Sequence, residues 1–200
     1  MENPLSREEL KKKIEAKENV SKVDTSEIKD MEQLFMWNED FNQPLNDWDV
    51  SNVTTMGEMF CNAKSFNQPL NEWDVSKVKY MIGMFSGAES FNQPLNDWDV
   101  SNVEDMKWMF AYATKFNQSL NEWDVSNVKD IEGMFAFAEI YTHSMKNWKL
   151  NKSCCYKPYE DYYKFIEDHQ MWHFVNTVED LPMQNGERID IGDRKVWKIL

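Results

Sequence analysis

The chain has 200 residues, a net charge of −13 and 14% aromatic residues. That length suits one domain with small appendages. The acidic balance excludes the basic face that phosphates require, and with it nucleic acid as the partner; the aromatic content excludes a disordered chain.

Residues 1–23 open the chain as a short charged helix. Ser6-Arg-Glu-Glu9 has the form of a capping box, with Ser6 as N-cap and Glu9 reaching back to it. Leu10, Ile14 and Val20 make a thin apolar stripe, enough to close the open end of a repeat stack. Lys11–Lys13 reads as a solvated helix face.

Residues 24–148 repeat. Trp48, Trp73, Trp98, Trp123 and Trp148 are each 25 positions apart, and the Asp-Val-Ser-Asn-Val and Phe-Asn-Gln-Pro-Leu segments recur with them. A fixed period of this size is the mark of stacked structural units. Within one unit, Leu70–Ser76 alternates as a short strand would, with Trp73 and Val75 on one face. Val78, Met81, Met84, Phe85 and Ala88 have helical spacing and predict two to three turns of helix. Phe91–Leu95 turns the corner at Pro94. One unit cannot bury so many apolar side chains; neighbours stacked on it can. The expected fold is therefore α/β: a right-handed repeat solenoid of leucine-rich-repeat type, with five coils of short parallel strands and short helices. In this arrangement the Trp and Met columns belong to the core, and the amides of pairs such as Asn67-Gln68 and Asn92-Gln93 satisfy corner backbone groups.

The run Phe91-Asn-Gln-Pro-Leu-Asn-Asp-Trp-Asp-Val-Ser-Asn-Val103, followed by Met106 and Met109-Phe110, resembles the repeat of BspA-like surface proteins, also called the mycoplasma lipoprotein repeat. The resemblance covers 24–148. It implies a leucine-rich-repeat-like solenoid and a role in adhesion or protein binding. Similar repeats occur in large DNA viruses of amoebae. No signal peptide or lipid-bearing cysteine is visible at the N-terminus, so the resemblance points to a viral or cytosolic member rather than an adhesin.

Residues 149–200 lack the repeat and predict an aromatic-rich α+β cap. It comprises a helix from Pro158 to about His169 and a hairpin through Glu187–Ile191 and Lys195–Ile199. Its last strand, with Trp197, Ile199 and Leu200, is the expected surface for self-association into a homodimer.

Asp47, Asp49, Glu72, Asp74, Asp97, Asp99, Glu122 and Asp124 flank the tryptophans and alternate away from them. They are the expected partner-binding face, lining an exposed sheet and suited to a basic protein; cations or glycans are the alternative ligands. The competing structural reading is that each Asp of Trp-Asp-Val-Ser accepts a turn hydrogen bond. His169, His173, Cys154 and Cys155 fit no common zinc module. No phosphate loop, nucleophile elbow or metal dyad is present, so neither catalysis nor a cofactor is expected. Cys61, Cys154 and Cys155 are odd in number and without framework spacing, which indicates a reducing compartment. No apolar run reaches the ~18 residues of a membrane span. The expected location is cytoplasmic, in a host cell or virion.

Overall fold

The computed structural model describes residues 3–143, 145 and 148–150. Among them, the one regular element is α1, Arg7–Glu15. The 25-residue units do stack as coils, but not through the elements expected of them. Adjacent coils meet at isolated parallel β-bridges that run through Asp30, Thr55, Tyr80, Asp105 and Asp130. No sheet and no repeat helix forms among the described residues, so the α/β leucine-rich-repeat architecture is not the fold of this chain.

The segment expected as a helix is a ribbon of consecutive turns. Its amide groups alternate between two destinations. Met59, Cys61 and Ala63 donate within the coil, to the carbonyls of Met56, Glu58 and Phe60 three residues back. Met56, Glu58, Phe60 and Asn62 donate instead to Tyr80, Ile82, Met84 and Ser86 of the next coil, at 2.7–2.9 Å. The same alternation recurs in the following coils, as in Met81 to Asp105 and Met106 to Asp130. A helix would return these donors to carbonyls four residues back. Two residues per coil take left-handed backbone angles and prevent it: Glu58 and Asn62, then Gly83 and Gly87, Trp108 and Tyr112, Gly133 and Phe137. Apolar spacing of three and four suits such a ribbon as well as a helix, because each three-residue turn brings the next apolar side chain inward.

The segment expected as a strand also turns. Trp73 N–H donates to Leu70 and Val78 N–H to Val75, both three residues back. Side chains supply the links between coils here. Each repeat tryptophan is buried, and its indole N–H donates to a carbonyl 28 residues earlier. Trp48 reaches Val20, Trp73 reaches Leu45, Trp98 reaches Leu70, Trp123 reaches Leu95 and Trp148 reaches Leu120, all at 2.8–2.9 Å. The inward tryptophans are thus core residues, each tied by one bond to the coil before it.

Phenylalanine rings fill the interior in two columns. Phe35, Phe60, Phe85, Phe110 and Phe135 stack with centroids 5.4–5.6 Å apart. Phe41, Phe66, Phe91, Phe116 and Tyr141 stack 5.9–6.0 Å apart. Met31, Met56, Met81 and Met106 are fully buried beside them. Each such side chain contributes about 1.5–3 kcal/mol by leaving water, and that gain accrues only when a neighbouring coil covers it.

At the corner, the Asn side-chain oxygen replaces a backbone acceptor. Asn67 Oδ1 accepts from Asn92 N–H at 2.9 Å and from Gln93 Nε2 at 2.9 Å; Asn92 Oδ1 serves Asn117 and Gln118 in the same way. In the last coil Thr142 N–H takes the Asn position, and His143 Nε2 lies 3.0 Å from the Asn117 carbonyl. His143 therefore does the work of the absent Gln.

The N-terminal end is closed by α1. Ser6 and Glu9 form the expected capping box, and Leu10 and Ile14 are buried in the core. Arg7 completes the closure. In later coils the carbonyls of Thr55 and Gly57 accept from backbone amides of the coil before. The first coil has no such predecessor, and Arg7 donates to the equivalent carbonyls of Asp30 and Glu32 at 3.1 and 2.6 Å. Arg7→Ala is expected to lower stability by about 1–2 kcal/mol, as loss of two partly screened charged hydrogen bonds should, measurable by urea unfolding.

Candidate functional site

The eight acidic residues read as a partner face are all exposed: Asp47, Asp49, Glu72, Asp74, Asp97, Asp99, Glu122 and Asp124. They form columns along the coils rather than the surface of a sheet, because the segments that carry them are turns. Half of them also have a structural task. Oδ1 of Asp49, Asp74, Asp99 and Asp124 accepts from the N–H of the Ser two residues on, at 3.0–3.1 Å. The others stand two residues earlier, beside the tryptophan. Asp47 pairs with Lys22, and Glu72 Oε1 accepts from Asn71.

The Ser76 and Ser126 hydrogen bonds hold the Asp74 and Asp124 carboxyls below their ordinary value, as Ser26 does for Asp24. A carboxylate depressed in the folded state contributes stability above its unfolded pKa and loses that contribution as pH falls through the folded value. Asp105 has the opposite sign, since burial pushes its carboxyl up and Asp130 on the next coil adds to the effect. The Asx turns outnumber it. Stability is therefore expected to be flat near neutrality and to fall below about pH 4, read as the urea midpoint against pH.

A second surface has no counterpart in the sequence reading. The two left-handed positions of each coil form columns in which a side chain lies over the same position one coil on. Gln33 Nε2 donates to Glu58 Oε2 at 2.6 Å. Glu58 then lies over Gly83, and Asn62 over Gly87, where a Cβ would come within 2.3 Å of Asn62 Oδ1. Trp108 lies over Gly133, with three ring atoms 2.7–2.8 Å from where a Cβ would be. Tyr112 stacks on Phe137, centroids 4.5 Å apart and 14° from parallel. Trp108 and Phe137 are half-buried and Tyr112 is 50% exposed. The signal in the sequence was the glycine pairs: Gly83 and Gly87 mark the two columns, and Trp108 and Tyr112 stand 25 residues further on.

A shallow groove of about 130 Å³ lies between Ile14–Glu18 and Asn38–Gln43, without a converging set of catalytic groups. Among the described residues no group of three or more His, Cys, Asp or Glu side chains is placed to hold a metal ion, and no helix is long and apolar enough to cross a membrane. Cys61 is a buried free thiol, pushed up by that burial. The expected self-association residues Trp197, Ile199 and Leu200, the C-terminal cap that would carry them, and His169, His173, Cys154 and Cys155 lie outside the described residues.

No curated protein and no solved structure matches the chain. A family model described as "Mycoplasma protein of unknown function, DUF285" matches twice, over residues 6–110 and 84–172. The first match begins at the helix cap and the second runs past Trp148, beyond the last full copy of the repeat. Repeating coils tied by tryptophan and asparagine columns, with family matches spanning most of the sequence, make this chain a member of the DUF285 family of BspA-like repeat proteins.

Proposed function

We propose that the protein is a non-catalytic interaction scaffold whose acidic columns dock a basic protein partner. The observation that carries this reading is the fixed geometry of the exposed carboxylates. Asp49, Asp74, Asp99 and Asp124 are pinned at Oδ1 by their own turns and are exposed at the same place on each of these coils. The carboxylates recur once per 25-residue coil, so an extended peptide lying along the stack would meet one after another of them with its Lys or Arg side chains.

The test uses Glu72→Gln, Asp97→Asn and Glu122→Gln together, because these residues hold no Asx turn. A peptide of alternating Lys and Gly is titrated by fluorescence anisotropy. Binding is expected to weaken at least about tenfold in the triple variant, and to fall steeply between about 0.05 and 0.5 M salt. Equal binding by the variant, together with binding that does not weaken as salt is raised, would remove the acidic columns as the dock. A rise in melting temperature with millimolar calcium, absent in the variant, would favour cation binding instead.

A further inference from the structure

The amide ladder at the corner starts one rung short. From the second coil on, the N–H of the corner residue meets an Asn side-chain oxygen of the coil before. Asn67 N–H donates to Asn42 Oδ1, Asn92 to Asn67, Asn117 to Asn92 and Thr142 to Asn117, at 2.9–3.0 Å. The residue 25 positions before Asn42 is Lys17, whose side chain carries donors and no acceptor. Gln43 finds backbone partners instead: its Oε1 accepts from Val20 N–H and its Nε2 donates to the Glu18 carbonyl. Asn42 N–H has no acceptor among the described residues.

The groove of about 130 Å³ lies at this same corner, with Asn42 in its lining. Ile14 and Phe41, both buried, form its apolar part, and Lys17, Glu18 and Asp40 are exposed on it. Glu18 is paired with Lys13 at 2.8 Å. Lys17 and Asp40 have no ion pair or side-chain hydrogen bond among the described residues. The groove therefore offers donors, from Asn42 N–H and Lys17, beside an acceptor, the Asp40 carboxylate. A carboxylate ligand would be repelled by Asp40, and an ammonium by Lys17. A carboxamide suits both sides, because its oxygen accepts while its NH2 donates. The later coils place the same group over the same N–H.

We infer that this groove binds an asparagine side chain on an extended segment of a partner protein, its carboxamide oxygen accepting from Asn42 N–H as the Asn of one coil accepts from the next. The first rung of the ladder then passes between two molecules. The site stands apart from the acidic columns and does not depend on them, since the group it takes is neutral.

The test is a titration of the full chain with the uncharged peptide acetyl-Phe-Asn-Gln-Pro-Leu-amide, followed in ¹H–¹⁵N spectra. In the free chain the Asn42 amide should exchange with solvent at least about tenfold faster than those of Asn67, Asn92 and Asn117, which are hydrogen-bonded. The peptide is expected to move the Asn42 amide signal downfield. Peptides with Ala or Asp in place of Asn should bind at least about tenfold more weakly. Lys17→Gly with Asp40→Ala should keep the fold, because the Lys17 φ of 55° suits glycine and Asp40 is exposed. That variant should bind the Asn peptide at least about fivefold more weakly. An Asn42 amide as protected as the other three, no binding of the Asn peptide, equal binding of the Ala peptide, or equal binding by the double variant each overturns the inference. None of these results bears on the acidic columns.

Discussion

Trp98→Ala is expected to lower the unfolding free energy by about 3–5 kcal/mol. Trp98 is 4% exposed, stacks on Trp73 at 6.3 Å and donates its indole N–H to Leu70 at 2.9 Å. Truncation leaves a cavity between two coils and an unsatisfied carbonyl on the earlier one. Trp98→Phe separates the two contributions, because it keeps most of the ring burial and removes the donor; a loss of about 1–2 kcal/mol is expected for it. Chemical unfolding of both variants, followed by circular dichroism, gives the numbers. A loss near zero for Trp98→Ala would mean that the tryptophan column does not hold coil to coil.

Gly133→Ala should cost about 2–4 kcal/mol, for two reasons that add. Its φ of +62° disfavours any Cβ by about 1–2 kcal/mol. The new methyl would also lie 2.7–2.8 Å from three atoms of the Trp108 ring, which is rigid and must move as a body. Trp108→Gly in the same chain removes the second cost and keeps the first, so partial rescue is expected. Full additivity of the two substitutions would show that the ring does not cover Gly133.

Much of the molecule follows from its sequence, and the part that does not has a specific cause. The 25-residue tryptophan spacing gives the coil register, and the phase of Trp73 against Val75 correctly places the indoles in the core. The recurrence of Asn-Gln at the corner gives the amide ladder, and Ser6 with Glu9 gives the helix cap. The local conformations of Leu70–Ser76, expected as a strand, and of Val78–Ala88, expected as a helix, are where pattern reading fails. Apolar side chains three and four apart fit a helix and a ribbon of three-residue turns equally, so hydrophobic periodicity cannot separate them. Gly83 and Gly87, two poor helix formers in the middle of the expected helix, are the residues that could have. The exposed carboxylates are legible from alternation, and their Asx turns from the Asp-x-Ser spacing. The stacking of Trp108 on Gly133 and of Tyr112 on Phe137 follows only when the glycine pair Gly83 and Gly87 is read together with the 25-residue register, which places each of these residues one period before its neighbour.

The central claim is that the apolar segment of each coil is a turn ribbon bonded to the next coil. Hydrogen-bond scalar couplings between amide nitrogen and carbonyl carbon report donor and acceptor directly. The structure predicts couplings from Met56 to Tyr80, Glu58 to Ile82, Phe60 to Met84 and Asn62 to Ser86. Couplings running instead from each amide to the carbonyl four residues earlier, through residues 78–88, would establish a helix there and contradict this account.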